Sequence, residues 1–484
     1  MPTGVQATRT TRNHDRQRPA GHPDKLIRDL KASVVAEGRR LLGGKRLDPR
    51  AAARACGIDL ALNLDHYWNL SQGHPSGPVK VIDMFSGCGG MSTGFRAVNG
   101  LLPVFDLVHA VDIDQVANRS YERNLALKPA ASDVAEIAQR RTAFAKLEQI
   151  AEPRTGQPFI LIGCAPCQGF SSHRNSAGET DQRNSLFLDF ARIAARLGPD
   201  AVVVENVPEL LTHKYWPFVV QARAILQEAG YHVYVGVHNM AAFGVPQERF
   251  RALLLAMRHP FRGPAGFLDR GRFRTVRDAI GDLPRINAGE RYAEDDMHYT
   301  AGHNKSTLAT IRAVPKDGGS RPADVGPPCL RRVAERQGKA AYEDVYGRLS
   351  WDKPAITITA YSRNPASGRF VHPEQDRGLS VREAALLQGF PKTYWFHGSL
   401  DERFRQVGNA VPPTFAAHLA MHILGELLDA SLPEAEADQG VTHPLGHSFS
   451  RMIPSLKARD WRSCSSGDSV CGQEKFVVGA AYLP

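Results

Sequence analysis

A predicted strand that leads directly into a glycine-rich turn constrains the fold of this chain more than any other feature. Residues 79–85 (Val-Lys-Val-Ile-Asp-Met-Phe) form an apolar run typical of a buried strand, and Ser-Gly-Cys-Gly-Gly follows at 86–90. A helix of about ten residues continues through Val98. Glycines allow the backbone to approach a ligand closely, so this order predicts a nucleotide-type binding turn in an α/β fold. A purely structural turn is the alternative.

Acidic residues follow the next predicted strand, 104–111. Asp112 stands at its end, where a carboxylate suits a ribose diol because it can accept hydrogen bonds from both hydroxyl groups. The alternative is that Asp112 caps the following helix. Asp133 precedes Val134 in a loop that could reach an adenine amino group, although by itself it cannot be distinguished from a surface aspartate.

A cysteine follows the strand predicted at 159–162, in the order Gly163-Cys164-Ala165-Pro166-Cys167. A thiol at the carboxyl end of a strand faces the crevice in which open α/β sheets bind ligands. The chain after Cys167 is polar and flexible, which suggests a nucleophile followed by a lid. Two alternatives stay open: a cysteine is often a small buried apolar residue, and Cys-Ala-Pro-Cys also has the spacing of a thioredoxin-like redox pair.

Charged residues follow two later strands. The strand predicted at 201–204 ends in Glu205, which would share the crevice with the cysteine, and glutamate is rarely buried without a partner or a task. Gln-Glu-Arg-Phe-Arg at 247–251 lies between strands predicted at 231–237 and 252–256. Strand periodicity places Arg249 and Arg251 on one face, with a solvated strand edge as the alternative.

From about residue 257 the alternation of strands and helices gives way to glycine, proline and arginine. Nine arginines fall between Arg249 and Arg285, and phenylalanines lie among them. A basic, loop-rich module fits phosphate contacts combined with a surface that reads bases, and a soluble irregular insertion is the alternative. Helical patterns return with the Ser380–Glu383 capping box and with apolar residues at 415, 419, 423 and 427.

Composition limits the partners and the cellular location that we expect for this chain. The net charge is +10 in 484 residues, which favours a polyanionic partner. Seven cysteines in so long a chain do not make a disulfide framework, so we expect a reducing, cytoplasmic location. No apolar run approaches the length of about 18 residues that a membrane span needs, and no signal-peptide core is present near the first residue. We therefore expect no contact with a membrane.

Taken in order, these stretches resemble the DNA (cytosine-5)-methyltransferases over residues 79–428. Pro166-Cys167-Gln168 is similar to the nucleophile motif, and Glu205-Asn206-Val207 and Gln247-x-Arg249-x-Arg251 are similar to two further active-site motifs. Residues 382–391 and 406–412 resemble the two C-terminal motifs. Leu386 and Ala165 depart from the usual pattern, but neither touches a reacting atom in the family scheme. The resemblance implies S-adenosyl-L-methionine as cofactor, double-stranded DNA as substrate and no metal.

The resemblance also assigns roles to residues of this chain. The implied catalytic residues are Cys167, Glu205, Arg249 and Arg251. The implied cofactor-binding residues are Asp83, Phe85, Gly87, Gly89, Gly90, Asp112, Ile113, Asp133, Asn409 and Val411. The implied DNA and lid residues are Gln168, Ser171, Ser172, Gln247 and Thr357.

The implied architecture is α/β, a Rossmann-like methyltransferase sheet with a smaller, irregular, β-containing target recognition domain. We expect a partly disordered N-terminal extension at 1–76, a catalytic and cofactor-binding domain at 77–258 and a target recognition domain at 259–375. The C-terminal motifs at 376–430 would return to the catalytic domain, and 431–484 would form a tail.

The implied reaction is sequence-specific methylation at C5 of a flipped-out cytosine through a covalent Cys167 adduct. The expected setting is a restriction–modification pair or a solitary methylase. The enzyme would be a nucleoid-associated monomer, and any cognate restriction endonuclease would act separately. Two other classes stay open: a non-catalytic DNA-binding protein on a decayed methyltransferase fold, and a redox protein built on Cys164 and Cys167. The presence of Cys167, Glu205 and Arg249 together disfavours the first.

Overall fold

The protein is described by a computed structural model that covers residues 23–44, 47–73, 76–151, 157–166, 185–337 and 342–448. Cys167, Gln168, Ser171 and Ser172 lie outside these ranges. Within them, no helix combines the length and the apolar character required to cross a membrane.

A six-stranded sheet forms the centre of the molecule, with strand order β2-β1-β3-β4-β7-β5. Strand β7 runs antiparallel to both of its neighbours, and the other five strands are parallel to one another. Two short strands, β6 and β8, pair separately in a parallel ladder. The strands are β1 (Val79–Met84), β2 (Phe105–Val111), β3 (Phe159–Gly163), β4 (Ala201–Asn206), β5 (His232–Asn239), β6 (Gln247–Glu248), β7 (Phe250–Met257) and β8 (Ala355–Ile356).

The helices of the described residues fall before, between and after these strands. They are α1 (Pro23–Leu42), α2 (Pro49–Leu62), α3 (Leu64–Ser71), α4 (Gly90–Val98), α5 (Gln115–Leu125), α6 (Val134–Gln139), α7 (Arg141–Ala151), α8 (Ser185–Leu197), α9 (Trp216–Glu228), α10 (Val276–Ile280), α11 (Lys305–Ala313), α12 (Pro328–Gln337), α13 (Val381–Leu387), α14 (Leu400–Asn409) and α15 (Pro413–Leu428).

Both faces of the sheet are buried, which explains why its central strands are continuous apolar runs rather than alternating ones. Successive residues of one strand enter different cores: Ile160 and Ile162 of β3 pack with α2, α4 and α15, whereas Leu161 packs with α7, α8 and α9. The α/β sheet expected from the sequence is therefore present, with helices on each side.

Helix α15 occupies the centre of one helical layer, between α2 and α4. Its predicted core positions Phe415, Leu419 and Ile423 are fully buried, and so are most residues on its other faces. The approach to α4 is close, because a Cβ added to Gly94 would lie 2.4 Å from the backbone nitrogen of Ala417. Such all-round burial is typical of a helix inside a large core.

The segment 258–375 has little regular structure, and buried arginines bind its backbone carbonyls. Arg348 is fully buried and donates to the carbonyls of Ile311, Val314 and His372, among others. An irregular backbone lacks the ladders that satisfy carbonyl groups elsewhere, and the guanidinium group supplies five donors. Part of the arginine content of this module is therefore structural.

Candidate active site

Three residues of the glycine turn between β1 and α4 have a positive φ angle, a conformation that favours glycine. Phe85, Gly87 and Gly89 have φ angles of 58°, 52° and 90°. A Cβ on Gly89 would lie 2.7 Å from Leu125 and 3.0 Å from the hydroxyl of Tyr394, so packing as well as φ requires glycine there. A Cβ on Gly87 would meet no described atom within 4 Å, so the described residues leave space beside this turn.

Asp112, at the end of β2, closes this turn. Its two carboxylate oxygens accept from the backbone N–H groups of Gly87 and Asp114, each at 2.7 Å. Asp112 does not cap the following helix. The N-cap of α5 is Asp114, whose side chain accepts from Val116 N at 2.9 Å. Burial raises the pKa of Asp112. Each oxygen keeps a lone pair for a ligand hydroxyl.

Ile113 and Asp133 lie at the same end of β2. Ile113 is 71% exposed, an unusual environment for a large apolar side chain next to a buried strand. The segment that leads to Asp133 is fixed to this strand end, because Asp112 N donates to Ala130 O at 3.1 Å. Asp133 caps α6 through Ala135 N at 2.9 Å, and its side chain is exposed.

Asp83 and Val411 lie beneath the turn rather than on its surface. Asp83 is 1% exposed and accepts from the Ser92 hydroxyl at 2.6 Å, which in turn accepts from Tyr121 at 2.9 Å. Burial raises the pKa of Asp83 to about 7. A Cβ on Gly90 would lie 2.3 Å from the carbonyl oxygen of Val411, so the turn rests on that backbone.

The remaining residue of the implied cofactor set, Asn409, is exposed at the end of α14. The surface above the turn fits an adenosine-containing ligand. It combines open space at Gly87, the Asp112 carboxylate and the exposed Ile113 side chain, and the buried Ser86 hydroxyl has no hydrogen-bond partner within the described ranges.

Glu205 and Arg251 meet at the carboxyl end of β4. Glu205 is 6% exposed, and its Oε1 lies 3.0 Å from Nε of Arg251, which extends from the antiparallel neighbour β7. Asn206 is also buried and donates from Nδ2 to the carbonyl of Ala165 at 3.1 Å. Because Ala165 precedes Pro166 and Cys167, Asn206 fixes the backbone that leads to the predicted nucleophile.

The two arginines of the 247–251 motif have different environments. Arg249 lies between β6 and β7, is 1% exposed, and donates to the carbonyls of Ile358 at 3.1 Å, Gly408 at 3.1 Å and Ala410 at 3.2 Å. It therefore joins the β8 segment to the loop before α15. Arg251 instead pairs with Glu205.

Gln247 and Thr357 strengthen the same junction. Gln247 is fully buried, donates to Leu387 O at 2.9 Å and accepts from Ile358 N at 2.9 Å. The Thr357 hydroxyl donates to Glu248 O at 2.9 Å. In this structure both residues bind protein groups at the border of the site.

Cys164 is the one cysteine of the Cys-Ala-Pro-Cys segment that lies within the described residues. It is half-buried directly after β3, and its backbone N–H donates to Met84 O at 3.3 Å. Burial raises the pKa of the Cys164 thiol well above its usual range, which disfavours the reactive thiolate.

The sequence motifs did not single out several residues that build the site. Ser92 and Tyr121 hold Asp83, and Tyr394 donates from its hydroxyl to the carbonyl of Cys88 inside the glycine turn. Tyr394 carried a weak signal, since it follows the Gly-Phe-Pro segment at 389–391.

Comparison with known proteins decides the family. The sequence model of the C-5 cytosine-specific DNA methylases matches residues 79–425. The chain belongs to this family.

Similar proteins of known class support this family assignment. The Type II methylase M.HgiDII of Herpetosiphon aurantiacus is 34% identical, over 71% of this chain and 94% of that protein. The Type II methyltransferase M1.HphI of Haemophilus parahaemolyticus is 33% identical, over 72% of this chain and 87% of that protein. The solved structure of a prophage-encoded DNA modification methyltransferase from Escherichia coli has a TM-score of 0.50 at 24% identity. The match covers 72% of this chain and 100% of the chain in that structure, and it shows that the two share a fold.

These findings confirm the family, the enzyme class and the α/β fold expected from the sequence, together with the dependence on S-adenosyl-L-methionine. The methylase acts on cytosine C5 in DNA.

Proposed function

We propose that this methylase modifies a cytosine flipped out of double-stranded DNA within a specific sequence, with Cys167 as the covalent nucleophile. The buried Glu205–Arg251 pair carries this proposal. It lies at the carboxyl end of β4, beside the β3 strand that leads to Cys167, and a carboxyl and a guanidinium group suit the N3 and O2 edge of cytosine. A base inside a stacked duplex cannot reach such a site, so flipping is required.

The cofactor would bind above the glycine turn. Asp112 would accept from the ribose hydroxyls, Ile113 would pack on the adenine ring and Asp133 would accept from the adenine amino group. S-adenosyl-L-methionine supplies an electrophilic methyl group. Asp83 and Val411 would support the turn from below, as their burial indicates.

Cytosine C5 is a poor nucleophile until a group adds to C6. The Cys167 thiolate would form an S–C6 bond, which turns the ring into an enamine. Its C5 then takes the methyl group while the methyl–sulfur bond of the donor breaks and the neutral thioether leaves. A base then removes the proton from C5, the electrons restore the 5,6 double bond, and the S–C6 bond breaks to return the thiolate. Glu205 would place a proton at N3 as charge develops there and take it back when the S–C6 bond breaks, a task for a positioned general acid.

Of the two arginines that the motif offers, Arg251 is the better candidate for the O2 contact. The guanidinium group of Arg249 is already bonded to three backbone carbonyls in the interior, whereas that of Arg251 lies beside Glu205. Arg249 would instead hold the two parts of the site together.

We further propose that residues 259–375 select the target sequence and that the methylase works as a monomer, with any cognate endonuclease a separate protein. The net charge of +10 supports association with the nucleoid. The module between the chemical motifs is the part of the chain free to vary with the target, since base-edge contacts specify sequence.

The nucleophile can be tested with a matched pair of cysteine variants. Cys167→Ser should abolish methyl transfer while DNA and cofactor still bind, because an alkoxide is much harder to form than a thiolate. Cys164→Ala should remain active. DNA containing 5-fluorocytosine provides a direct readout, because fluorine cannot leave as a proton does and the covalent complex persists.

The trapped complex should form with wild type and Cys164→Ala and be absent with Cys167→Ser. Turnover of Cys167→Ser within about tenfold of wild type would contradict the covalent mechanism. Loss of activity in Cys164→Ala would support the paired-cysteine alternative.

A further inference from the structure

Helix α3 lies before the region that matches the family, yet it contacts a loop that holds the glycine turn. Trp68 of α3 is 3% exposed, and its ring centroid lies 5.8 Å from that of Tyr394. Its indole N–H donates to the Thr393 hydroxyl at 3.1 Å. The Asp65 carboxylate accepts from the backbone N–H of Lys392 at 2.6 Å. Three successive residues, 392–394, are therefore held by one helix.

The same loop reaches the cofactor turn directly. The Tyr394 hydroxyl donates to the carbonyl of Cys88, and it would lie 3.0 Å from a Cβ added to Gly89. Tyr394 is fully buried, so this bond forms inside the packed core. Trp68 packs against the Tyr394 ring together with Phe390 and Phe396, whose ring centroids lie 4.7 and 5.3 Å from that of Tyr394.

The 392–397 loop also binds helix α5. Asn124 of α5 donates from Nδ2 to Trp395 O at 2.7 Å and accepts from Trp395 N at 3.0 Å. The Ser120 hydroxyl accepts from His397 N at 2.8 Å. Helix α5 begins directly after Asp112-Ile113-Asp114, so the loop contacts the scaffolds of both halves of the proposed cofactor site.

Helix α3 also packs directly on the end of α4. A Cβ added to Gly100 would lie 2.0 Å from the carbonyl oxygen of Tyr67, so the two backbones touch there. The N-terminal helices continue into the main core, since Leu60 and Tyr67 pack in the same cluster as Phe95 and Phe415. The N-terminal helices are thus part of the core on which α4 and the glycine turn pack.

We propose that Trp68 and Asp65 are positioning residues for S-adenosyl-L-methionine, acting through the 392–397 loop and Tyr394 on the glycine turn. This inference rests on the proposed placement of the cofactor above that turn. It assigns to the N-terminal segment a role in cofactor affinity that is separate from the chemical step and from DNA binding.

The full-length protein tests the proposal through kinetic constants measured separately for each substrate. Trp68→Leu should raise the KM and the Kd for S-adenosyl-L-methionine about tenfold, while kcat at saturation and the KM for DNA stay near wild type. Asp65→Ala should raise both cofactor constants about fivefold, as expected for one lost hydrogen bond. Trp68→Phe keeps an aromatic ring and should restore most of the affinity, as should Asp65→Asn, which keeps an acceptor.

Leu70→Ala is the matched control, because Leu70 lies on the same helix but is 42% exposed. Circular dichroism without cofactor checks that each variant is folded, and Asp65→Ala keeps the test valid if Trp68→Leu does not fold. Unchanged cofactor constants in both Asp65→Ala and Trp68→Leu would overturn the inference. Equal losses in kcat and in both KM values would do the same, since they would indicate a general structural role. If the wild type itself failed to bind S-adenosyl-L-methionine, the proposed cofactor site would be wrong instead.

Discussion

Gly408→Ala sets two opposing effects against each other. Gly408 lies within α14, where alanine is favoured over glycine by about 1 kcal/mol from helix propensity alone. However, an added Cβ would lie 2.2 Å from Ala360 N, 2.2 Å from Thr359 C and 2.5 Å from Thr359 O. These are backbone atoms, so no rotamer change can relieve the contact and the chain at 359–360 must move.

Overpacking of this kind costs about 1–3 kcal/mol, and contact with backbone argues for the upper part of that range. We therefore expect the clash to win, with a net loss of about 1–2 kcal/mol in the free energy of unfolding after the helix gain is subtracted. The movement would also displace Ile358 O and Gly408 O, which both accept from Arg249. Methylation should fall with it.

Chemical denaturation and methyl-transfer rates measure the two effects, and Gly271→Ala is the control because its added Cβ would meet no described atom within 4 Å. A Gly408→Ala protein as stable as wild type, or more stable, would show that propensity dominates. In that case the close approach of α14 to the 359–360 segment would not constrain the fold as we infer.

Two further predictions concern buried ionisable groups. Glu205→Gln should lower the methylation rate by roughly 10²- to 10⁴-fold, the usual range for general acid catalysis, and a variant that loses cofactor binding instead would contradict the assignment of Glu205 to the base. His238 is 1% exposed, and burial lowers its pKa to about 3, whereas an unfolded histidine titrates near 6.5. The unfolded state therefore binds the extra proton first, so stability is lost as pH falls below about 6.5, by about 2 kcal/mol at pH 5. Denaturation curves at pH 7.5 and 5 should show a smaller difference for His238→Gln, and an unchanged difference would refute this origin.

The sequence predicted the parts of the fold that local pattern controls. The central strands bury both faces, so they are continuous apolar runs whose limits fall within a residue or two of the observed ones. Ser380 and Glu383 form the expected capping box. The short helix α3 was missed, because a single residue, Asn63, separates it from α2 and serves both as the C-cap of α2 and as the N-cap of α3.

Other features depend on contacts that no local pattern contains. The apolar run of β7 is compatible with either direction, so its antiparallel insertion between β4 and β5 could not be predicted. Periodicity placed Arg249 beside Arg251, but the hydrogen-bond partners of Arg249 are 109 to 161 positions away in sequence. Similarly, motif order indicated that Glu205 belongs to the site, while its pairing with Arg251 became visible only in the structure.

The bond from Tyr394 to the carbonyl of Cys88 joins positions 306 residues apart. During synthesis the glycine turn and α4 leave the ribosome long before α15 exists, so the face of α4 that packs on α15 stays uncovered for most of translation. At about 5–20 residues per second this interval lasts tens of seconds, long enough for exposed apolar surface to associate wrongly. We therefore expect truncation before α15 to yield an insoluble product rather than a smaller enzyme.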